Sequence, residues 1–230
     1  MTRPPLVPAV AQSDSVLRRP QTELRVYLLI QDLQRQFAAY LGTPTRARGY
    51  PALEGSHSLI VEVVPGLAIE RIIDLALKSV PSVEPGLLFV ERQFGILEIH
   101  SNELSDVKLA GQTILDGLNA SESDQLKPHI LFSEVVEDIT DMHAIILNRT
   151  RQGSMVLPGE TLLLVELTPA LFATVAANEA ERVVPENTLV DVQMIGATGR
   201  VYISGTSQNV ERARLAITDV LASLTGRSQL

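Results

Sequence analysis

Cysteine is absent from the 230 residues, which removes disulfides, thiolate metal sites and cysteine nucleophiles together. Basic residues are in the minority, 19 Lys plus Arg against 27 Asp plus Glu, for a net charge of -8 and a pI near 5.0. That balance argues against nucleic acid as the main partner, because affinity for phosphate backbones comes chiefly from Lys and Arg. No apolar run approaches the roughly 18 residues of a membrane span, so no membrane partner is expected. The N-terminal stretch carries Pro4, Pro5 and Pro8 without an apolar core, so it does not read as a secretory signal. Also missing are a Gly-rich phosphate loop of standard spacing and a His-Glu-x-x-His motif. The four histidines, His57, His100, His129 and His143, are dispersed and close no metal site. Ser105-Asp106-Val107-Lys108 fits Ser-x-x-Lys without its companion motifs and reads as a helix N-terminus. No nucleophile, base and orienter assemble, so neither an enzyme nor a cofactor is expected. What is present is 45% apolar and 20% charged residues, enough for one or two folded domains in a soluble, cytoplasmic protein.

The chain repeats itself. Gly49 and Gly55 recur as Gly153 and Gly159, with 153 − 49 = 159 − 55 = 104. At that shift Leu59, Val61, Glu62, Pro65 and Leu67 fall on Leu163, Val165, Glu166, Pro169 and Leu171. Val80-Pro81 falls on Val184-Pro185, and Gly95 on Gly199. One residue is then dropped, and at a shift of 103 Val107, Ala110, Ile114 and Leu118 meet Val210, Ala213, Ile217 and Leu221. Chance matches do not hold register through punctuating Gly and Pro. The expected organisation is a leader at 1–22, a first repeat at 23–126 and a second at 127–230. The leader is proline-rich and polar, and is expected to be disordered.

Within one repeat, 24–30 reads as a strand, 32–41 as a short helix and 42–56 as a loop. Residues 58–64 alternate and are rich in branched side chains, a second strand. Pro65 suits the first turn of a helix running to Ser79 and burying Leu67, Ile72, Ile73, Leu75 and Ala76. Residues 87–92 and 95–100 read as strands joined by a turn at Gln93-Phe94-Gly95, and Val107 to Leu118 as an amphipathic helix. The second copy repeats this, with Thr168 expected as N-cap before Pro169. Each repeat is β-α-β-α-β-β-α, an α+β unit with helices backing a sheet.

These residues carry a resemblance. The stretch Ser58–Leu118 resembles a bacterial microcompartment shell (BMC) domain: a strand ending in Val-Glu, a helix near Pro65 closing at Leu77-Lys78-Ser79-Val80, a Gly-closed hairpin and an Ala-rich last helix. The family's usual order ends with the elements that here come first, at Glu23 to Leu41. Each repeat is therefore similar to a circularly permuted BMC domain, and the chain to the permuted tandem shell proteins of carboxysomes. The resemblance implies an antiparallel sheet with flanking helices in a pseudohexameric trimer. It implies a central pore wide enough for sugar phosphates and gated by a Glu-Arg pair, neighbouring hexameric shell proteins as partners, and face-to-face stacking of two trimers.

Carried onto this sequence, the gate is Glu91 and Arg92, and the pore loops are Gln93, Phe94 and Gly95 with Gly196, Ala197, Thr198 and Gly199. A ring of guanidinium groups suits phosphate and carboxylate ligands, because Arg presents a planar fork of donors. The plainer reading is a solvated hairpin with an ordinary ion pair, and a plain turn would explain the second loop's glycines equally well. Phe94 either covers the pore loop or packs under it. Lys78 and Arg182 fall at the family's tile-edge position, although the helix dipole alone favours a basic residue there. The family's second edge motif, Pro-Arg-Pro, has no match near Gln31-Asp32-Leu33. Arg46 and Arg48 read as a solvated loop, or else as a face-to-face contact or an anion-binding group in a chamber between stacked trimers. The leading expectation is a carboxysome shell tile that passes phosphorylated metabolites without chemistry. The rival is a tandem α+β module that senses a small anion and regulates a partner.

Overall fold

Alternation of apolar residues at period two and then at period three to four builds the same succession of elements twice. The computed structural model describes residues 22–43, 49–149 and 154–228. The first half contains β1 (Glu23–Ile30), α1 (Arg35–Leu41), β2 (His57–Val64), α2 (Ala68–Ser79), β3 (Glu84–Glu91), β4 (Phe94–Ser101) and α3 (Leu104–Leu118). The second contains β5 (His129–Val136), α4 (Asp141–Asn148), β6 (Thr161–Thr168), α5 (Phe172–Val183), β7 (Thr188–Gln193), β8 (Gly199–Gly205) and α6 (Ser207–Ser223). The sheets are antiparallel, in the orders β1-β2-β4-β3 and β5-β6-β8-β7. From β2 and β6 onward the halves match at 161 − 57 = 104, and the last helices at 207 − 104 = 103. Upstream the offset is 129 − 23 = 106, because the second half is two residues shorter from the start of its first helix to the start of its second strand.

Strand alternation sends the two faces of the first sheet to different partners. Leu59, Val61, Val63, Leu97 and Ile99 join Ile69, Ile72 and Ala76 of α2 and Val107, Ala110 and Ile114 of α3 in a core private to that half. The opposite face sends Val26, Leu28, Ile30, Ile60 and Ile96, with Leu33 and Phe37, into a core shared with Leu171, Phe172, Ala173, Ala176 and Ala177 of the second half. Phe37 is fully buried in this seam, a burial worth about 1.5–3 kcal/mol.

Polar contacts fasten the seam. Gln34 N–H donates to Asn178 Oδ1 at 2.8 Å, and the N–H groups of Gln36 and Phe37 donate to the two Glu181 carboxylate oxygens at 2.7 and 2.9 Å. The Gln36 side chain bridges the Asn187 carbonyl and the Leu189 N–H, each at 2.8 Å, and the Tyr40 hydroxyl donates to the Val192 carbonyl.

Local details correct the sequence reading. Neither proline opens a helix: Pro65 and Pro169 sit in turns, each after a cis peptide bond, and α2 and α5 begin three residues later, at Ala68 and Phe172. The turn carbonyls of Pro65 and Gly66 accept from Ala68 and Ile69, so the helix is entered through the turn. Thr168 therefore ends β6, and the residue at the N-cap of α5 is Leu171. Leu67 is 74% exposed at the corresponding position, while Ile69 is the buried residue of that first turn. The short helix starts at Arg35 because Asp32 takes a left-handed conformation and Gln34 is extended.

Candidate functional site

The hairpin between β3 and β4 closes through Arg92 and Gln93, one residue before the expected turn; Phe94 and Gly95 already belong to β4. Packing explains Gly95. A Cβ there would meet the Gly66 carbonyl oxygen at 2.1 Å and Ile69 Cβ at 2.6 Å, so the glycine lets the α2 entry turn lie against the strand. Gly199 has the same role in the second half, facing the Ala170 carbonyl at 2.2 Å. Arg92 has a φ of 51°, the left-handed region that turns the chain, and its side chain is 91% exposed. Glu91, the last residue of β3, is only 22% exposed, and its Oε1 lies 3.7 Å from Arg92 Nε. At that distance and exposure the pair adds little to stability, so Arg92 is not fixed by it.

Glu91 also lines a cleft of about 360 Å³ between the halves. Tyr40, Leu41 and Thr43 form one wall, Leu87 and Glu98 another, and Met194 and Ile195 reach it from the second half's loop. The first hairpin and the second loop thus meet one opening.

The second loop, 194–198, is longer and uncharged, with Gly196 at a φ of 137°. Its Thr198 hydroxyl donates to Glu166 Oε1 at 2.6 Å, and Arg200 Nε donates to the same oxygen at 3.1 Å. The Thr198 bond, then Arg200, holds the Glu166 carboxyl below the usual carboxylate range. In the first half the matching carboxylate, Glu62, is buried and accepts from Arg25 Nε at 2.7 Å. Burial pushes the Glu62 carboxyl upward, only partly offset by Arg25. The Arg25 guanidinium lies 4.1 Å from the centre of the Phe94 ring, so Phe94 packs on a braced cation. Sequence reasoning missed Arg25; the pairing of Glu62 with Glu166 in the repeat was the available signal.

Lys78 and Arg182 sit in the last turns of α2 and α5, 73% and 55% exposed by side chain. Each holds an acid on its own helix, Asp74 at 2.6 Å and Glu179 at 2.8 Å. Ser105 and Lys108 lie in the first turns of α3, as expected for a helix start. Arg46, Arg48 and residues 1–21 lie outside the described residues, as do Thr150 and Gln152, which face the two arginines in the repeat alignment. Among the described residues no group of three or more His, Asp or Glu side chains is placed to hold a metal ion. No helix among them is long and apolar enough to cross a membrane.

Comparison with known proteins gives this geometry a family. The family model described as the CsoS1D N-terminal domain matches residues 24–124. The carboxysome shell protein CcmP of Synechococcus elongatus (strain ATCC 33912 / PCC 7942 / FACHB-805) is 40% identical over 205 residues, 89% of this chain and 94% of that protein. The carboxysome shell protein CsoS1D of Hydrogenovibrio crunogenus (strain DSM 25203 / XCL-2) is 39% identical over 207 residues, 90% of this chain and 99% of that protein. Among solved structures, the double ringed trimeric shell protein MSM0271 from the RMM microcompartment is 61% identical, with a TM-score of 0.87 over 90% of this chain and all of that one. The fused permuted hexameric shell protein MSM0275 from the same microcompartment is 45% identical, with a TM-score of 0.85 over 89% of this chain and 99% of that one. With its two matching sheets, its elements in permuted order and these relatives along nearly its whole length, the chain belongs to the tandem permuted BMC-domain shell proteins of bacterial microcompartments, the family of CcmP and CsoS1D.

Proposed function

We propose that three copies of the chain close into a hexagon-like shell tile whose central pore is lined by the two hairpin loops and gated by Glu91 and Arg92. The observation that carries this reading is unequal burial of equivalent surfaces. Most of helix α5 is buried, including the polar Thr174, Asn178 and Glu181, because α1 and β1 cover the face that its own sheet does not. Its counterpart α2 is covered on one face only, leaving Leu67, Glu70 and Asp74 exposed. Conversely, Val26 of β1 is fully buried while its counterpart Phe132 of β5 is 41% exposed. On α4, the counterpart of α1, Met142 is 68%, Ile145 54% and Ile146 61% exposed. The seam formed once inside the chain thus has both of its halves uncovered at the two ends. A second copy docked head to tail covers them, and such a heterologous contact closes into a ring when the rotation allows.

The solved relative described as double ringed and trimeric supports three chains per ring and a pairing of two rings, which in this reading stack face to face. Hexameric shell proteins would be the lateral neighbours, meeting the tile at Lys78 and Arg182. The carboxysome relatives support a cytoplasmic carboxysome shell, and the 61% identical relative comes from an RMM compartment. In a carboxysome the permeants would be phosphorylated metabolites such as ribulose bisphosphate and phosphoglycerate, for which exposed Arg92 side chains are suitable ligands. Homologous shell proteins favour this structural role over a regulatory anion sensor and over catalysis.

Light scattering tests the reading. Three chains of 25.0 kDa give 3 × 25.0 = 75 kDa, or twice that for a stacked pair. A monomer at micromolar concentration overturns it.

A further inference from the structure

The two loops are tied to the same carboxylate position by different chemistry. In the second half Glu166 takes the Thr198 hydroxyl directly, and Arg200 joins it to the Gln193 side chain at 3.1 Å. Gln193 and Thr198 stand at the two ends of the loop, so both ends are hydrogen-bonded into one network. In the first half Thr198 is replaced by Phe94 and Arg200 by the buried Ile96, so the strand offers neither hydroxyl nor cation. The cation comes from β1 instead. Arg25 reaches Glu62 with Nε and presents its face to Phe94, whereas the β5 counterpart of Arg25 is Leu131, 49% exposed. Phe94 pairs with Glu91 across the two-residue turn. The carboxylate is kept in both halves and the rest of the arrangement has changed around it.

We propose that Arg25 is a positioning residue for the Glu91–Arg92 hairpin: braced by Glu62, its guanidinium carries the Phe94 ring and thereby sets where the turn points. The proposal rests on reading this hairpin as the gate, and it adds the element that holds it. It also makes the loops unequal: a ring stacked on a guanidinium carries the first, and a hydrogen-bonded network through Glu166 ties both ends of the second.

Hydrogen exchange on the full-length chain, resolved by peptide, tests the brace. Phe94→Leu keeps the Arg25–Glu62 pair and removes the ring face. It is expected to speed exchange about fivefold at residues 91–94, the factor that a cation–π contact of ordinary strength corresponds to. Residues 194–198 and β1 should keep wild-type rates. Arg25→Lys keeps the charge beside Glu62 but lacks the planar guanidinium, and should give an intermediate rate at 91–94. Arg25→Ala leaves Glu62 buried without its cation and is at risk of unfolding, which is why the first two variants decide. Unchanged exchange at 91–94 in Phe94→Leu, or an equal rise throughout β1 and β2, overturns the proposal. A crystal structure of the trimer with the hairpin far from the axis would overturn the gate reading and leave the exchange result standing, so the two failures are distinguishable.

Discussion

The Glu181 carboxylate accepts the Phe37 N–H at 2.9 Å across 144 residues of sequence, and that contact completes a helix that cannot complete itself. Helix α1 starts after Gln34, which makes no side-chain cap, so its first N–H groups need acceptors from elsewhere. Its counterpart α4 is capped by its own Thr140, whose hydroxyl accepts from His143 N–H at 3.3 Å. The seam inside the chain therefore carries a buried polar lock. The matching faces left for a second copy have Leu77 where Glu181 stands and present Met142 and Ile146, an apolar contact. In the proposed ring, two chemically different versions of one seam would keep first and second halves alternating.

Removing the lock should cost stability. Glu181→Ala is expected to destabilise the chain by about 2 kcal/mol, the range for hydrogen bonds to a charged group, which here also serve as the helix cap. Thr140→Ala should cost about 1 kcal/mol, as an ordinary cap does. Urea denaturation of both variants gives the comparison, and equal costs would mean that Glu181 is not the cap of α1.

Ring closure should respond to charge on the uncovered seam. Ile146→Asp and Leu67→Asp each place a carboxylate in an apolar contact without a counter-charge. Both variants should keep the wild-type circular dichroism and lose the trimer in light scattering. A trimer that survives both substitutions would put the contact between copies elsewhere.

Gate substitutions should change the opening and spare the fold. Arg92→Ala is expected to give a permanently wider pore in trimer crystals, since three exposed cations no longer fill the axis. Glu91→Ala should bias the hairpin toward one state. Stability should change by no more than about 0.5 kcal/mol for Arg92→Ala, the usual range for an exposed side chain. An unchanged pore diameter in Arg92→Ala removes Arg92 from the gate.

At the tile edge, Lys78→Ala should weaken sheet formation seen by electron microscopy while leaving the trimer intact. Its partner Asp74 is itself 56% exposed, so the ion pair within α2 contributes little to the fold. Sheets indistinguishable from wild type would reduce Lys78 to a helix-end charge.

His100 supplies a pH dependence. It is buried, with Nδ1 3.2 Å from Glu98 and Nε2 3.6 Å from Glu84; Ser58 donates to the other Glu98 oxygen at 2.6 Å. Burial pushes the imidazole pKa down, but the Glu98 hydrogen bond and the charges of Glu98 and Glu84 outweigh it and leave the value raised. A raised folded-state value means that the imidazolium's contribution is complete below the unfolded value of about 6.5 and is lost as pH rises through the folded one. Urea midpoints should fall as the pH rises above about 6.5 in wild type, and fall less in His100→Asn. An equal slope in the variant assigns the dependence to other groups.

The duplication, the order of elements and the hairpin position of Glu91 and Arg92 were legible in the sequence, because they rest on local periodicity and on glycines and prolines that keep register. The turn was misplaced by one residue because Gly95 looked like turn chemistry, when its small size serves contact with Gly66. The helix starts at Pro65 and Thr168 were misplaced for a related reason: a local preference was overridden by a turn that delivers α2 and α5 onto their sheets. Two α+β units of one kind follow from the amino-acid order alone, since burial of one face of each strand and helix is set by the spacing of neighbours along the chain. Tertiary packing alone set three things: α5 buries polar residues that would face solvent on α2, Glu181 caps a helix in the other half, and Arg25 lies under Phe94. Those contacts join residues whose separation along the chain carries no period, so their energies depend on how the two halves meet.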